Sequence, residues 1–471
     1  MIVRAAAPPA QPSGVVLRAF GLGGGPLRPV DKTLLTVALV LTTIAAAASV
    51  TDVAGRYGGI DYRNRVVGAR VLSLGMNPYT FVWEPGMPEV LLDPHHRDGV
   101  TRVTVPPTAL CLYQVIAWVP YGTQRLLHFG LEWAALLASV AVLVRTLPTR
   151  GLRVAFLVGA AVFFAGGAAW RMHTERGQVY VFHLLFLSLG AARCLRTRLD
   201  SWRAGVAFGV AAALRPNFAP LALAFLVLGK YRTAGGAVGT GALAVALTLP
   251  WAGAGVWKSY FAMGDEYFAY VQERWNPYAE PGASRFGPPP WKVPFEAEGF
   301  TFEQVIVDEY SPPSSVNRFY SENRVALGLP EVDQARISKA LLLGLVGVMV
   351  GVAALGRRRS PRVTLLFLSC LLLDQEYFLP HRWPYVDVHW LLPLALAAPA
   401  LAAARPANRL GVVLILVGLV VGNALALSPQ PYTTTLARTY LLALGLTCVA
   451  WAEWTRRRTG RAGAVPPVAE K

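Results

Sequence analysis

Redox and metal-binding cysteine patterns are missing from this sequence. Its four cysteines, Cys111, Cys194, Cys370 and Cys448, lie far apart and mostly within apolar runs, without CxxC or metal-ligand spacing. They read as packing residues. Charge is scarce too: only 15% of the 471 residues are charged, low for a soluble chain of this length. Acids are the scarcer sign, with 27 Asp and Glu against 44 Lys and Arg. No Walker loop, HExxH or GxSxG occurs, so nucleotide hydrolysis, zinc proteolysis and serine hydrolysis lack a signal. The N-terminus is Pro- and Gly-rich up to Arg28 and lacks a short apolar core with a small-residue cleavage site. It is expected to remain as an uncleaved cytoplasmic tail.

What fills the chain is apolar. Hydrophobic residues make up 54% of it, the mean hydropathy is +0.42, and many separate runs approach the length of a bilayer-spanning helix. The class is an all-α polytopic membrane protein. A formal charge of +17 raises nucleic acid as a partner. The basic residues instead cluster after apolar runs, as they do in cytoplasmic loops, so the expected partners are membrane lipids and no nucleic acid.

The positive-inside rule gives one consistent layout. Residues 1–32 form a cytoplasmic tail, and spans at about 33–50, 124–144, 154–170, 179–195 and 234–252 alternate arginine clusters with acid-containing loops. Between them, Pro106-Pro107 opens an apolar segment, Thr108 to Tyr121, which is too short for a span and suits a helix lying at the interface. Two short helices, about 204–214 and 217–229, meet at Arg215-Pro216-Asn217. The segment 253–337 reads as a large outer loop, 338–454 as C-terminal membrane helices and 455–471 as a basic cytoplasmic tail. About twelve spans result, with both termini inside the plasma membrane.

The first outer loop, 51–107, holds Asp52 and Asp61 among Arg56, Arg63, Arg65 and Arg70. Such a segment is either a solvated connector or an active-site loop at the water-membrane boundary. All seven histidines fall in outer loops or the outer halves of spans, which points the chemistry outward. A carboxylate there can deprotonate an acceptor hydroxyl, and arginines can grip a phosphate through paired hydrogen bonds. His95-His96, beside Asp93 and Asp98, make a divalent metal conceivable, although adjacent ligands are not the usual spacing. The inventory therefore suits transfer of a group from an anionic lipid carrier. A transporter or flippase of lipid-linked or polar substrates is the alternative. Against it, no repeat relates the two halves.

Four motifs carry a family resemblance. Asp61-Tyr62 with Gly75-Met76-Asn77-Pro78-Tyr79, then Pro106-Pro107-Thr108, Gly177-Gln178 and Leu214-Arg215-Pro216-Asn217 together resemble the GT-C glycosyltransferases, and within them glycosyltransferase family 87. Leu379-Pro380-His381-Arg382-Trp383-Pro384-Tyr385 resembles that family's Ser-Pro-x-Ser-Trp-x-His segment more loosely, with the serines missing and Tyr385 where His is often found. The resemblance implies a GT-C-like bundle with an N-terminal module over 33–252. It implies transfer of a hexose, with mannose favoured, from a polyprenyl-phosphate sugar donor to a lipid-linked or glycan acceptor of the cell envelope. It also implies Asp61 as general base, with Asp52 as runner-up. The expected substrate-binding residues are Arg63, Tyr79, Gln178, Arg215, Asn217, His381, Arg382 and His389.

Overall fold

The computed structural model describes residues 18–22, 26–55, 58–92, 103–165, 168–274, 295–302, 327–328, 330, 332–378, 384–403, 405–424 and 435–456. Fifteen helices and one small hairpin account for them. In chain order the helices are α1 (Pro29–Gly55), α2 (Ile60–Ser73), α3 (Pro107–Gln114), α4 (Tyr121–Arg145), α5 (Arg150–Ala165), α6 (Ala168–Arg176), α7 (Tyr180–Arg196) and α8 (Trp202–Leu214). There follow α9 (Pro220–Val227), α10 (Tyr231–Arg274), α11 (Gln334–Gly356), α12 (Pro361–Asp374), α13 (Leu391–Ala402), α14 (Arg409–Ala424) and α15 (Thr435–Thr455). The hairpin pairs β1 (Phe295–Ala297) antiparallel to β2 (Phe300–Phe302), with Ala297 opposite Phe300.

A helix stands at each apolar run named from the sequence, and the protein is a polytopic membrane protein. Among the described residues, five helical stretches are long and apolar enough to cross a membrane: Pro29–Ala54, Tyr121–Arg145, Tyr231–Met263, Arg336–Gly356 and Tyr385–Ala402. A sixth crossing is added if the bent pair Ala169–Arg176 and Tyr180–Arg196 counts as one span. Of the remaining apolar helices, α14 leaves Leu410, Val413 and Leu416 exposed, whereas α12 is packed inside the bundle. α12 buries every residue from Thr364 to Leu373. By contrast α1 leaves Leu39, Val40 and Ile44 exposed, as a helix facing lipid does.

Two segments differ from the sequence expectation. The first helix of α10 breaks at Gly253, but a second helix follows it directly. That residue takes φ 76, ψ 155 inside α10, and the helix resumes at a new angle as far as Arg274. A positive φ suits glycine, so the start of the outer segment is a redirected helix instead of a loop. The second difference is the first outer loop. Asp52 still lies in α1, and 60–73 form α2, in which every residue from Tyr62 to Leu72 is buried. A helix carrying Arg63, Arg65 and Arg70 can be buried only if each guanidinium finds acceptors. Arg65 donates to Gly177 O at 2.9 Å and Gln178 Oε1 at 2.6 Å. Arg70 donates to Ala117 O at 2.7 Å and Val90 O at 2.8 Å. Arg63 and Arg70 each lie 2.7 Å from Glu298 Oε1, at the tip of the hairpin.

The interfacial segment after Pro106-Pro107 is α3, with Pro107 in its first turn. It docks through buried Leu110 and a hydrogen bond from Thr108 Oγ1 to Ala213 O, while Leu112, Val115 and Trp118 in and after it stay exposed. That division suits a short helix seated on the bundle with an apolar side toward lipid.

Candidate active site

The site is built on a corner. α6 ends at Arg176 and α7 begins at Tyr180, bent 117° from it. Gly177 makes the turn at φ +65, and a Cβ there would lie 2.6 Å from Tyr62 Cβ. Both the dihedral and the close approach to α2 require glycine. The corner is closed by His173, whose Nε2 accepts the Val181 N–H at 3.1 Å, and whose carbonyl accepts the Gln178 N–H at 3.0 Å.

Gln178 is thereby aimed at α2. Its Oε1 accepts from Arg65 and its Nε2 donates to Asp61 Oδ2. Asp61 lies in the first turn of α2, at the positive pole of the helix. Arg176 Nη1 stands 3.6 Å from its carboxylate. Asp61 keeps 17% of its side-chain surface exposed, against 6% for Arg176 and a residue exposure of 1% for Gln178. The carboxylate is the open end of an otherwise sealed chain, Arg65–Gln178–Asp61.

Beneath this chain lies a buried polar layer. Arg125 donates to Thr174 O and lies 3.5 Å from Glu132 Oε2, both side chains being fully buried. His173 Nδ1 is 3.1 Å from Glu132 Oε1, and the His128 ring packs 4.4 Å from that of Tyr62. Because His173 Nε2 accepts a backbone N–H, its proton sits on Nδ1 and faces Glu132.

On the far side of the corner, Tyr180 lies under Arg215, whose Cζ is 4.5 Å from the ring centroid. The charges of Arg215, Glu376, Arg65 and Asp61 all act on Tyr180. Arg215 closes α8 in an extended conformation, φ -150, ψ 98, and donates through Nη2 to Glu376 Oε2. Its side chain is 15% exposed and that of Glu376 1%. Glu376 therefore fixes the guanidinium from behind, and Nη2 is the only guanidinium nitrogen of Arg215 with a hydrogen bond among the described residues. His389 Nε2 lies 3.0 Å from Tyr180 O, and Tyr385 packs 5.1 Å from the Tyr180 ring.

Asp61, Gln178, Arg215 and His389 are thus brought around Tyr180. Other expected residues stand elsewhere. Arg63 faces Glu298 and the Tyr121 ring. Tyr79 is buried, donating to Val105 O at 2.7 Å and packing 5.6 Å from Tyr260, so it joins the first loop to α10. Asn217 engages through its backbone carbonyl, which accepts from Gln375 at 2.8 Å. Asp52 lies 3.1 Å from Arg171, itself 2.6 Å from Glu175. His381, Arg382, His95 and His96 lie outside the described residues. Among the described residues no group of three or more His, Cys, Asp or Glu is placed to hold a metal ion. Sequence reading did not assign Arg65, Arg176, Tyr180 or Glu376 to the site, although Arg65 and Glu376 were among the charged residues it singled out. Arg65 was detectable, standing four residues after Asp61, the spacing of one helix face.

Residues 104–286 match the family model of glycosyltransferase family 87. The protein is a glycosyltransferase. The matched region covers under half of the chain and includes the Gly177-Gln178 corner and Arg215, while Asp61 precedes it. It is consistent with the GT-C superfamily. No curated protein and no solved structure matches the chain.

Proposed function

We propose that this glycosyltransferase moves a hexose, with mannose favoured, from a polyprenyl-phosphate donor to a lipid-linked or envelope acceptor on the outer face of the plasma membrane. Both termini lie in the cytoplasm and the chain crosses the bilayer about twelve times, the short helices included. The observation that carries the reading is the presence of two partly open groups, Asp61 and Arg215, each braced by a buried partner and both acting electrostatically on Tyr180.

In the reaction Asp61 takes the proton of the acceptor hydroxyl as that oxygen attacks the anomeric carbon. The bond to the carrier phosphate breaks, and the phosphate leaves with the electron pair against Arg215, whose free N–H groups accept the growing charge. Displacement from the opposite face inverts the anomeric centre. Asp52 is a weaker candidate for the base, because its carboxylate is engaged by Arg171.

Purified protein given polyprenyl-phosphate mannose and a membrane lipid extract, with and without EDTA, tests this. Asp61→Asn should lower transfer by about 10²-fold or more with unchanged melting, and Asp52→Asn by less than about tenfold. A folded Asp61→Asn protein that transfers at the wild-type rate would remove Asp61 from the role. Lack of transfer by the wild type would remove the donor.

A further inference from the structure

The helices that frame the candidate site also meet at their other ends. α4 runs from Tyr121, whose hydroxyl bonds to Gly58 O just before α2, to Arg145. α7 runs from Tyr180 to Arg196, and α12 from Pro361 to Asp374, two residues before Glu376. At about 1.5 Å per residue the opposite ends lie roughly 20–35 Å away. There the three helices border an open pocket of about 380 Å³ lined in part by Arg145, Thr146, Arg196, Ser360 and Arg362. That is within the roughly 300–1,000 Å³ of small-ligand sites.

Three guanidiniums line this space, and among the described residues none has a carboxylate partner. Arg145 and Arg196 are in the last turns of α4 and α7, where the helix dipole favours a cation. They need no further explanation. Arg362 is different. It is the second residue of α12, after the Ser360 cap, so its charge stands at the positive pole of a helix, where a cation is disfavoured. It is held there by Thr146 O at 2.5 Å and Ala395 O at 3.4 Å. A helix N-terminus and three arginines converging on one pocket repel one another until an anion joins them.

We propose that this pocket binds a phosphate group, supplied by a lipid headgroup at the end of the α4 span. Arginine forks match phosphate oxygens, and the pocket sits where the apolar length of α4 stops. Inorganic phosphate shares the chemistry, so the test separates the two sources. Full-length protein in phosphatidylcholine nanodiscs is titrated with phosphatidylglycerol, and protein in detergent with inorganic phosphate, each read by thermal shift and native mass spectrometry. The test variant is the double substitution Arg145→Gln with Arg196→Gln, both exposed side chains. Arg362→Gln is the second variant, and exposed Arg358→Gln is the control for general surface charge. Saturable binding that weakens about tenfold or more in both test variants and stays within about twofold in the control supports the site. Response to the lipid alone assigns the headgroup, and response to both probes assigns the phosphate itself. No saturable binding of either probe, or equal binding by wild type and test variants that melt normally, overturns it.

Discussion

Asp61 and Arg65 share one face of α2, while Arg63, two residues from Asp61, lies on the other. This spacing decides which arginine serves the site: Arg65 reaches Gln178, and Arg63 reaches Glu298. The residue types were visible in the sequence, and the Gly177-Gln178 pair was noted there only as a motif, without its turn. The partner of Asp61 was not, because a segment taken as a loop has no faces. Gly177 makes the sharpest single-residue test. Gly177→Ala adds a Cβ at positive φ against Tyr62, and should cost roughly 2–5 kcal/mol. A lowered melting temperature in detergent and a matching fall in transfer would confirm it. An unchanged melting curve would mean that the corner can relax.

At the level of elements, the hairpin and α2 form one unit. Burial raises the Glu298 carboxyl, but hydrogen bonds and charge from Arg70 and Arg63 outweigh it, and its pKa lies below the ordinary 4.5. A lowered carboxyl pKa stabilises docking fully above that ordinary value, and the gain is lost as pH falls through the lowered one. Hydrogen exchange across 295–302 should therefore be flat with pH above about 4.5, after correction for intrinsic exchange, and should quicken below it. Glu298→Gln should weaken docking by about 1–3 kcal/mol at neutral pH and remove the pH step. The same experiment showing a step in Glu298→Gln would assign it to another group. None of this was readable beforehand, since the fit of Glu298 to two arginines more than 220 residues earlier leaves no local pattern.

Across the whole molecule, hydropathy located the helices well, because apolar runs and the arginines that end them are local signals. Of the roughly twelve spans expected, five or six among the described residues are long and apolar enough to cross by length and composition alone. α8, α9 and α12 are short helices buried against their neighbours, and apolar composition does not separate a buried helix from a spanning one. The change of composition at Gly253 does mark a break in the helix, but composition did not show that a second helix follows it. The opposed ends of the bundle are testable with an impermeant thiol reagent. In a chain whose four free cysteines are replaced, Ser73→Cys should label in intact cells, and Arg358→Cys only after permeabilisation. Labelling of both in intact cells would show that the two ends are not opposed, and labelling of Arg358→Cys alone would reverse the assignment of faces.

The partners of α2 also set a timetable for making the protein. Arg65 meets residues 112 and 113 positions later, and Arg63 one that is 235 positions later. At about 5–20 residues per second of synthesis, Arg63 waits roughly 10–50 s for Glu298. Through that interval the guanidiniums of Arg63 and Arg70 have, among the described residues, only the backbone carbonyls of Glu89, Val90 and Ala117 as acceptors. The carboxylate that seals the flank of α2 arrives only after residues 64–297 have been made.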